Sequence, residues 1–345
     1  MAKIDVLLKM ILEYKASDLH VCVGEPPLLR INGELQRAKY HDLAKEEVEV
    51  LLLEMLDEKT LALLKSKKDI DFAYELEGVA RFRGNIFLER HGYSGAFRVI
   101  PTNIKTLREL GIPEAVYSLA RLKKGLVLVT GATGSGKSTT LAAMLDLINK
   151  EKSAHIITLE DPIEFIHPKG KCLIHQRQLG FHMESFAAGL KAALREDPDV
   201  VLVGEMRDLD TIQLALTAAE TGLLVLGTLH TSSAPKTVDR IIDVFPTTQQ
   251  AQIRTMLAES LKGVVSQNLL RKADRSGRVA AVEVMICNAA IQNLIREAKT
   301  FQIVSVMQTG KNIGMQPMVD HIKKLLQDGV ISQEEADIYS NRIDI

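Results

Sequence analysis

The sequence contains few cysteines and no long apolar run. Only three of its 345 residues are cysteines, Cys22, Cys172 and Cys287, and no two of them form a C-x-x-C pair. This spacing argues against a disulfide framework or a zinc ribbon and favours a reducing compartment. No stretch of about 18 apolar residues occurs, so we expect no membrane-spanning helix. The N-terminus lacks the apolar region of a signal peptide, and we therefore expect a cytoplasmic protein.

The chain also lacks an excess of charge of either sign. Lysine and arginine number 43 and aspartate and glutamate 44, which gives a formal net charge of −1. A near-neutral chain is unlike proteins whose binding is dominated by nucleic-acid phosphates, so we expect no nucleic-acid partner. The length suggests two domains, and the hydrophobic content of 46% is ordinary for globular proteins.

The first hundred residues predict a small α+β domain, residues 1–100. Its elements are an amphipathic helix from Ile4 to Ile11, a strand at Leu19–Val23, a hairpin turn at Asn32-Gly33, one helix across roughly Lys45 to Lys65, and strands at Ile70–Leu76, Val79–Leu88 and Ala96–Ile100. Residues 101–124 then predict a linker with one short helix, because Gly111-Ile112-Pro113 interrupts any longer one.

The remainder, residues 125–345, predicts an α/β domain. Apolar strands alternate with helices at Leu126–Thr130, His155–Leu159, Val200–Val203 and Leu223–Leu229. Such alternation indicates a parallel sheet with helices on both faces. From Thr247 onward the pattern predicts helices to the end, apart from a strand at Val279–Met285.

The segment Gly131–Ser138 reads GATGSGKS and fits the P-loop pattern G-x-x-x-x-G-K-[ST]. A predicted strand precedes it and a predicted helix follows it, as the motif requires. The backbone N–H groups of such a loop cradle phosphates, the lysine reaches the β- and γ-phosphates, and the hydroxyl ligates Mg²⁺. The sequence therefore predicts a nucleoside triphosphate as ligand and Ser138 as a Mg²⁺ ligand. The expected nucleotide-binding residues are Thr133, Gly134, Ser135, Gly136, Lys137, Ser138 and Thr139.

Polar residues follow three further predicted strands. Glu160 ends the second strand, Glu205 follows the third, and His230 follows the fourth. Because ligands in parallel sheets bind at the carboxyl ends of the strands, these side chains are candidates for catalysis. A carboxylate near the γ-phosphate can orient or deprotonate water, and a histidine beside it can sense or stabilise the phosphate. The aspartate that usually ends the third strand is replaced here by Gly204.

Together these segments resemble those of the secretion-superfamily ATPases, and among them the retraction motors of type IV pili. Four segments resemble the family's Walker A, Asp, Walker B and His boxes, in that order: Gly131–Ser138, Ile157–Glu164, Leu194–Asp208 and Gly227–Ala234. Ser17–His20 and Arg81–Asn85 resemble the family's first domain. The resemblance covers nearly the whole chain.

This resemblance implies a PAS-like N-terminal domain followed by a RecA-like P-loop ATPase domain, with six chains in a ring. It implies catalytic roles for Glu205, Glu160 and His230, and phosphate-sensing roles for Arg81 and Arg98. Arg207 and Arg240 are further candidates for charge contacts near the site.

The resemblance also implies a biological role. The expected activity is ATP hydrolysis that drives pilus retraction and twitching motility. The expected partners are an inner-membrane platform protein and a paralogous pilus ATPase. The chain would lie at the inner membrane through its protein partner, without entering the membrane.

Several alternatives stay open. Arginines on half-exposed strands usually form a solvated face. The group His167, Cys172, His175 and His182 has no zinc-site spacing and reads more simply as a surface connection. The family's usual histidine and arginine are replaced by Leu223 and Gln292, so a nucleotide-binding accessory subunit with weak hydrolysis is the second hypothesis.

Overall fold

The computed structural model describes residues 3–31, 33–100 and 103–343, the last four of these through their backbone alone. The chain divides into two compact units. The N-terminal unit contains Met1–Asn103 together with Pro162–Ile166, and the C-terminal unit contains Ile104–Asp161 and His167–Ile345.

The N-terminal unit is built on one antiparallel sheet. Its elements are α1 (Ile4–Glu13), β1 (Asp18–Val21), β2 (Leu28–Ile31), β3 (Glu34–Arg37), α2 (Lys45–Leu53), α3 (Glu58–Lys67), β4 (Asp69–Leu76), β5 (Ala80–Glu89) and β6 (Gly92–Ile100). The strands lie in the order β3-β2-β1-β6-β5-β4. Every neighbouring pair is antiparallel. Phe82 and Phe97 are fully buried in this unit, which therefore has its own apolar core.

Two sequence predictions in this unit need comment. The single helix predicted across Lys45 to Lys65 is wrong, because two helices form with a break between residues 54 and 57. Asp57 caps the N-terminus of the second helix, since its side chain accepts a hydrogen bond from the Thr60 N–H at 2.7 Å. The hairpin at Asn32-Gly33 joins β2 to β3, which pair antiparallel, but Asn32 lies outside the described residues.

The C-terminal unit carries a second sheet. Its elements are α4 (Glu114–Ala120), β7 (Gly125–Thr130), α5 (Lys137–Glu151), β8 (His155–Glu160), β9 (Leu173–Gln178), α6 (Phe186–Ala193), β10 (Val200–Val203), α7 (Leu209–Glu220), β11 (Leu224–Leu229), α8 (Ala234–Asp243), α9 (Thr247–Ser260), β12 (Leu261–Arg271), β13 (Arg278–Ile286), α10 (Ala289–Arg296), α11 (Ile303–Thr309), α12 (Met318–Gln327) and α13 (Gln333–Ile343). The order is β13-β12-β7-β11-β10-β8-β9. Strands β12 to β9 run parallel, and β13 is antiparallel to β12.

Helices cover both faces of this sheet, as the alternating pattern predicted. One apolar cluster joins α6, α7, α8 and α9 to one face, and a second joins α4 and α5 to the other. Because both faces are covered, every residue of β7 and β11 is buried. The predicted linker is partly absorbed here, since Ile112, Val116 and Leu119 are buried in the second cluster.

The prediction of uninterrupted helix between Thr247 and Val279 is wrong. Residues Leu261–Arg271 form the long strand β12, which lies between β7 and β13. Strand β9, at the edge of the sheet, was also not predicted. Helix α9 passes directly into β12 at Leu261, and Gly263, two residues further on, is the local signal that could have ended the predicted helix.

Candidate active site

The P-loop lies between β7 and α5. Gly134 and Gly136 have φ angles of 76° and 90°, which favour glycine, so the loop depends on these two residues. Lys137 is the first residue of α5, and its Nζ donates to the carbonyl oxygens of Gly131 at 2.9 Å and Ala132 at 3.0 Å. The ammonium group of Lys137 therefore lies against the P-loop backbone, where it is also available to bind phosphate oxygens.

The loop fits a polyphosphate. Phosphate oxygens require inward-pointing N–H groups and a close approach of the backbone, and glycines allow both. The space behind the loop is also full: a Cβ on Gly131 would lie 2.3 Å from the carbonyl oxygen of Gln267, and one on Gly136 would lie 2.9 Å from Gln267 Nε2. Thr133, Gly134 and Ser138 are exposed, Ser135 is buried, and Thr139 is half-buried. The exposed Ser138 hydroxyl is of the type that ligates Mg²⁺ beside a triphosphate.

The predicted polar strand ends meet at the same edge as the P-loop. Strands β7, β11, β10 and β8 are consecutive and parallel, with Thr130 paired to Leu229 and Val203 paired to Leu159. His230, Glu205 and Glu160 therefore leave the sheet at its carboxyl edge. Because neighbouring strands are about 4.8 Å apart, Glu205 belongs to a strand roughly 10 Å from β7, whereas Glu160 belongs to one roughly 14 Å away.

Glu205, His230 and Arg207 form one cluster. His230 Nε2 lies 3.1 Å from Glu205 Oε1, and Arg207 Nε donates to the same oxygen. The Glu205 side chain is 20% exposed, while that of Arg207 is 76% exposed. One carboxylate oxygen thus faces two nitrogen groups at the mouth of the site. This arrangement orients a carboxylate that can activate water.

The absence of the usual aspartate at position 204 has a steric cause. A Cβ on Gly204 would lie 2.8 Å from the carbonyl oxygen of Leu159 and 3.3 Å from Glu160 Cα. The Gly204 N–H donates to that Leu159 oxygen at 2.7 Å, and the Thr228 hydroxyl donates to the Gly204 carbonyl. Strands β8, β10 and β11 are therefore so close together here that no side chain fits at position 204. The acidic residue is instead the next one along the chain, Glu205.

Glu160 is fixed by neighbours on β8 and β9. Its Oε1 accepts hydrogen bonds from the Thr158 hydroxyl at 2.6 Å and from Gln176 Nε2 at 3.1 Å. The contact with Gln176 directs one carboxylate oxygen towards the edge strand β9, away from β7. Glu205 is consequently the better placed of the two carboxylates for chemistry beside the P-loop.

The electrostatics of His230 favour its neutral form. Burial lowers the pKa of His230 most strongly, and the positive charges of Lys137 and Arg207 lower it further, whereas the Glu205 carboxylate opposes the shift. At neutral pH the imidazole is therefore uncharged and can exchange a hydrogen bond with Glu205. Lys137 is close enough to influence this imidazole, which links the P-loop to the carboxylate electrostatically.

Two recesses flank the P-loop. The first has a volume of about 470 Å³ and contains the Glu205 cluster; its lining is Thr133, Glu205, Met206, Arg207, Leu229, His230, Thr231 and Arg240. The second, of about 420 Å³, contains Gly136 and Thr139 together with apolar side chains such as Ile112, Leu269 and Val279, and cations such as Lys272 and Arg278. The first brings together the predicted Thr133, Glu205 and His230 with both additional arginines.

Arg81 and Arg98 belong to the N-terminal unit. Arg98 on β6 donates from Nε to Asp18 Oδ1 at 2.7 Å, although its side chain is 70% exposed. Arg81 on β5 pairs across the sheet with Glu75, and lines a recess of about 360 Å³ with Glu164. Their phosphate-sensing roles stay predictions.

Three of the four side chains that could have suggested a metal site are engaged elsewhere. His175 Nδ1 lies 2.9 Å from His155 Nε2, His182 Nδ1 accepts from the Gln178 N–H, and the Cys172 thiol donates to the Lys152 carbonyl. Within residues 3–31, 33–100 and 103–343, no three metal-ligating side chains converge. The same residues contain no helix of the length and apolarity that a bilayer crossing requires.

The two departures from the family pattern lie away from this edge. Leu223 immediately precedes β11, seven residues before His230, which is roughly 23 Å along an extended strand. Leu223 therefore lies at the opposite end of β11 from His230. Gln292 lies on α10, where it is half-buried.

Sequence reasoning missed several supporting residues. Gln267 on the unpredicted strand β12 contacts the P-loop, Thr228 contacts Gly204, and Thr158 contacts Glu160. The threonines precede the polar strand ends by two residues, so the period of a strand could have placed them on the same face. Gln267 carried no such signal, because its strand was read as helix.

Comparison with known proteins agrees with this arrangement. Residues 1–338 match the family of the Type II/IV secretion system protein. The chain is 50% identical over 321 residues to the "Type IV pilus retractation ATPase PilT" of Pseudomonas aeruginosa, which covers 93% of each chain. It is 51% identical over 310 residues to the "Twitching motility protein" of Neisseria gonorrhoeae, covering 90% of this chain and 83% of the relative.

A solved structure is similar throughout. The pilus retraction motor PilT with bound ADP superposes with a TM-score of 0.90 at 46% identity, covering 97% of this chain and 96% of that one. The matching family and the shared fold therefore extend over both units. The chain belongs to the Type II/IV secretion system protein family.

Proposed function

We propose that this protein is an ATP hydrolase that works as a motor for retraction of type IV pili. The observation that carries the proposal is the Glu205–His230 pair at the carboxyl edge of the sheet, beside a complete P-loop. The relatives named as a pilus retractation ATPase and a twitching motility protein support the same activity and indicate the pilus as the machine served.

Each side chain has a specific part in the proposed reaction. The loop N–H groups and Lys137 bind the phosphates, and Ser138 would hold Mg²⁺, which screens charge on the β- and γ-phosphates. Glu205 orients the attacking water and accepts its proton, and His230 keeps the carboxylate in place. Arg207 and Arg240 line the same recess and supply positive charge. Glu160 is the second catalytic carboxylate at this edge, held in place by Thr158 and Gln176.

We place the base and ribose in the recess that contains Thr139. This recess adjoins the first turn of α5, where a bound nucleotide leaves the loop, and Leu269 and Val279 offer apolar surface to a base. Lys272 and Arg278 add positive charge there. The volume of about 420 Å³ is within the range of small-ligand sites.

The assembly follows from the proposed activity. We propose residues 1–100 as a PAS-like domain, 101–124 as a linker and 125–345 as the ATPase domain, with six copies in a ring. Arg81 and Arg98 would approach the γ-phosphate when the domains move, so that hydrolysis and motion are coupled. The ring would act in the cytoplasm on an inner-membrane platform protein, with a paralogous pilus ATPase as a second partner.

The second candidate is an accessory subunit that binds nucleotide and hydrolyses it weakly. Leu223 and Gln292, which replace a histidine and an arginine usual in the family, are the observations in its favour. Leu223 lies at the opposite end of β11 from His230, so the hydrolase is the better supported of the two.

Steady-state ATPase measurements on the purified protein separate these candidates. Lys137→Ala removes the ammonium group from the phosphates, and we expect kcat/KM to fall at least about 100-fold. Lys169→Ala, which changes an exposed lysine of the same unit, is the matched control and should hydrolyse ATP normally. Wild-type protein that binds ATP without turning it over would favour the accessory subunit, and normal turnover by Lys137→Ala would refute the P-loop assignment.

Retraction itself needs a cellular test. The gene for this chain should restore twitching in a strain that lacks its retraction ATPase, and the Lys137→Ala gene should not. A chain that hydrolyses ATP in solution but fails to restore twitching would contradict the retraction role while leaving the hydrolase assignment intact.

A further inference from the structure

Gln267 lies behind the P-loop on a strand that is distant in sequence. Strand β12 runs parallel to β7, and Ser266 is paired with Thr130, so the next residue on β12 stands beside Gly131. Gln267 is only 2% exposed. A buried amide costs free energy unless all its polar atoms are bonded, so its partners identify what it does.

Both ends of the amide are bonded to the P-loop and its helix. Gln267 Nε2 donates to the carbonyl oxygen of Ser135 at 2.6 Å, and its Oε1 accepts from the Thr140 hydroxyl at 2.9 Å. Because the Ser135 carbonyl can only accept, the nitrogen must face it, and the orientation of the amide follows. One side chain therefore joins the loop to the first turns of α5.

This contact addresses a need common to phosphate-binding loops. When successive N–H groups point inward to an anion, the carbonyl groups of the same residues point away from it and require donors elsewhere. Ser135 is only 5% exposed, so water cannot readily supply that donor. Gln267 also leaves no room for a side chain at either end of the loop. A Cβ on Gly131 would lie 2.3 Å from the Gln267 carbonyl oxygen, and one on Gly136 would lie 2.9 Å from Gln267 Nε2.

We propose that Gln267 is a positioning residue that holds the P-loop in its phosphate-binding shape before nucleotide arrives. It contacts no phosphate and takes no part in the chemistry. Its effect is on nucleotide affinity, because a loop without this donor must be ordered at the expense of binding free energy. The inference rests on the proposed nucleotide-binding function.

Replacement of Gln267 by glutamate tests the donor directly. An ionised carboxylate has nearly the same shape but cannot donate to Ser135, and it repels that carbonyl oxygen. We expect Gln267→Glu to bind a fluorescent ADP analogue at least about tenfold more weakly than wild type at pH 8. On acidification the protonated carboxyl regains a donor, so the ratio of the two dissociation constants should return towards one at pH 5.5.

Gln302→Glu is the matched control, because it makes the same chemical change at an exposed position of the same unit. Its affinity should equal that of wild type at both pH values. Hydrogen exchange on the nucleotide-free proteins provides a second measurement. Peptides that cover residues 131–138 should exchange faster in Gln267→Glu than in wild type at pH 8, and strand β10 should exchange equally.

The outcomes separate this inference from the function on which it rests. If wild type binds no nucleotide, the proposed function fails. If wild type binds and both Gln267→Glu and Thr140→Val bind within twofold of it at pH 8, the positioning role is wrong, because Thr140→Val removes a bond to the Gln267 amide at any pH. If Gln267→Glu does not fold, Thr140→Val decides, since it frees Oε1 and should weaken ADP binding several-fold; unchanged affinity would overturn the proposal.

Discussion

Glu205→Gln is the sharpest test of the catalytic arrangement. The amide keeps the size and one oxygen of the carboxylate, so it can still accept a hydrogen bond from Arg207 or His230. It loses the negative charge and the ability to take a proton. A positioned general base typically contributes 10²- to 10⁴-fold, so we expect kcat to fall at least about 100-fold, or roughly 2.7 kcal/mol of barrier.

Nucleotide affinity should change little in this variant, because Glu205 contacts His230 and Arg207 rather than the loop. The assay is steady-state ATP hydrolysis, which gives kcat, together with ADP binding. Glu184→Gln, at an exposed position of the same unit, is the control for loss of one carboxylate. A fall in kcat of less than about tenfold, or 1.4 kcal/mol, would show that Glu205 is not the principal base and would direct attention to Glu160.

Three further predictions concern pH and the arginines. His230→Ala should lower hydrolysis and leave ADP affinity within a few-fold. Because burial lowers the pKa of His230, its imidazolium forms only at acidic pH, where it would hold Glu205 in an ion pair. The decrease of kcat at acidic pH should therefore be smaller in the variant than in wild type. An equal decrease in the two proteins would contradict this role. Arg81→Ala/Arg98→Ala should depress turnover far more than affinity, and activity recovered on mixing it with Lys137→Ala subunits would show that the arginines act between chains; normal turnover by the double variant would refute their role. Burial raises the pKa of Glu283 above its unfolded value, so its carboxyl contributes stability at low pH that is lost as pH rises through the folded pKa. Glu283→Gln should therefore raise Tm relative to wild type more at pH 8 than at pH 5, and a pH-independent difference in thermal melts would count against it.

Much of the nucleotide site could be predicted from local sequence. The P-loop is a contiguous motif whose glycines and lysine act through their own backbone and side chain, so eight consecutive residues are sufficient to recognise it. Glu205 and His230 could be placed at one edge because parallel strands share a direction, and any residue that follows such a strand leaves the sheet on the same side. Their contact at 3.1 Å then follows from β10 and β11 being neighbours.

Other features depended on contacts that no local pattern encodes. Gly204 was explained only when the Leu159 carbonyl was found 2.8 Å from the place of its Cβ. The break at Asp57 is different, because its cap to the Thr60 N–H is local and an aspartate is a known helix-start signal. The apolar run in β12 is compatible with helix or strand until β7 is beside it.

The sequence by itself predicted the P-loop, the acid and the histidine beside it, and the four parallel strands β7, β8, β10 and β11 that carry them. Only the tertiary structure showed that Gln267 donates a hydrogen bond to the loop, because its bond to Ser135 joins residues 132 positions apart. The physical reason is that hydrogen-bond donors for buried carbonyl groups come from whichever strand the fold places alongside. Local periodicity records the direction and burial of an element, but it does not record its neighbour.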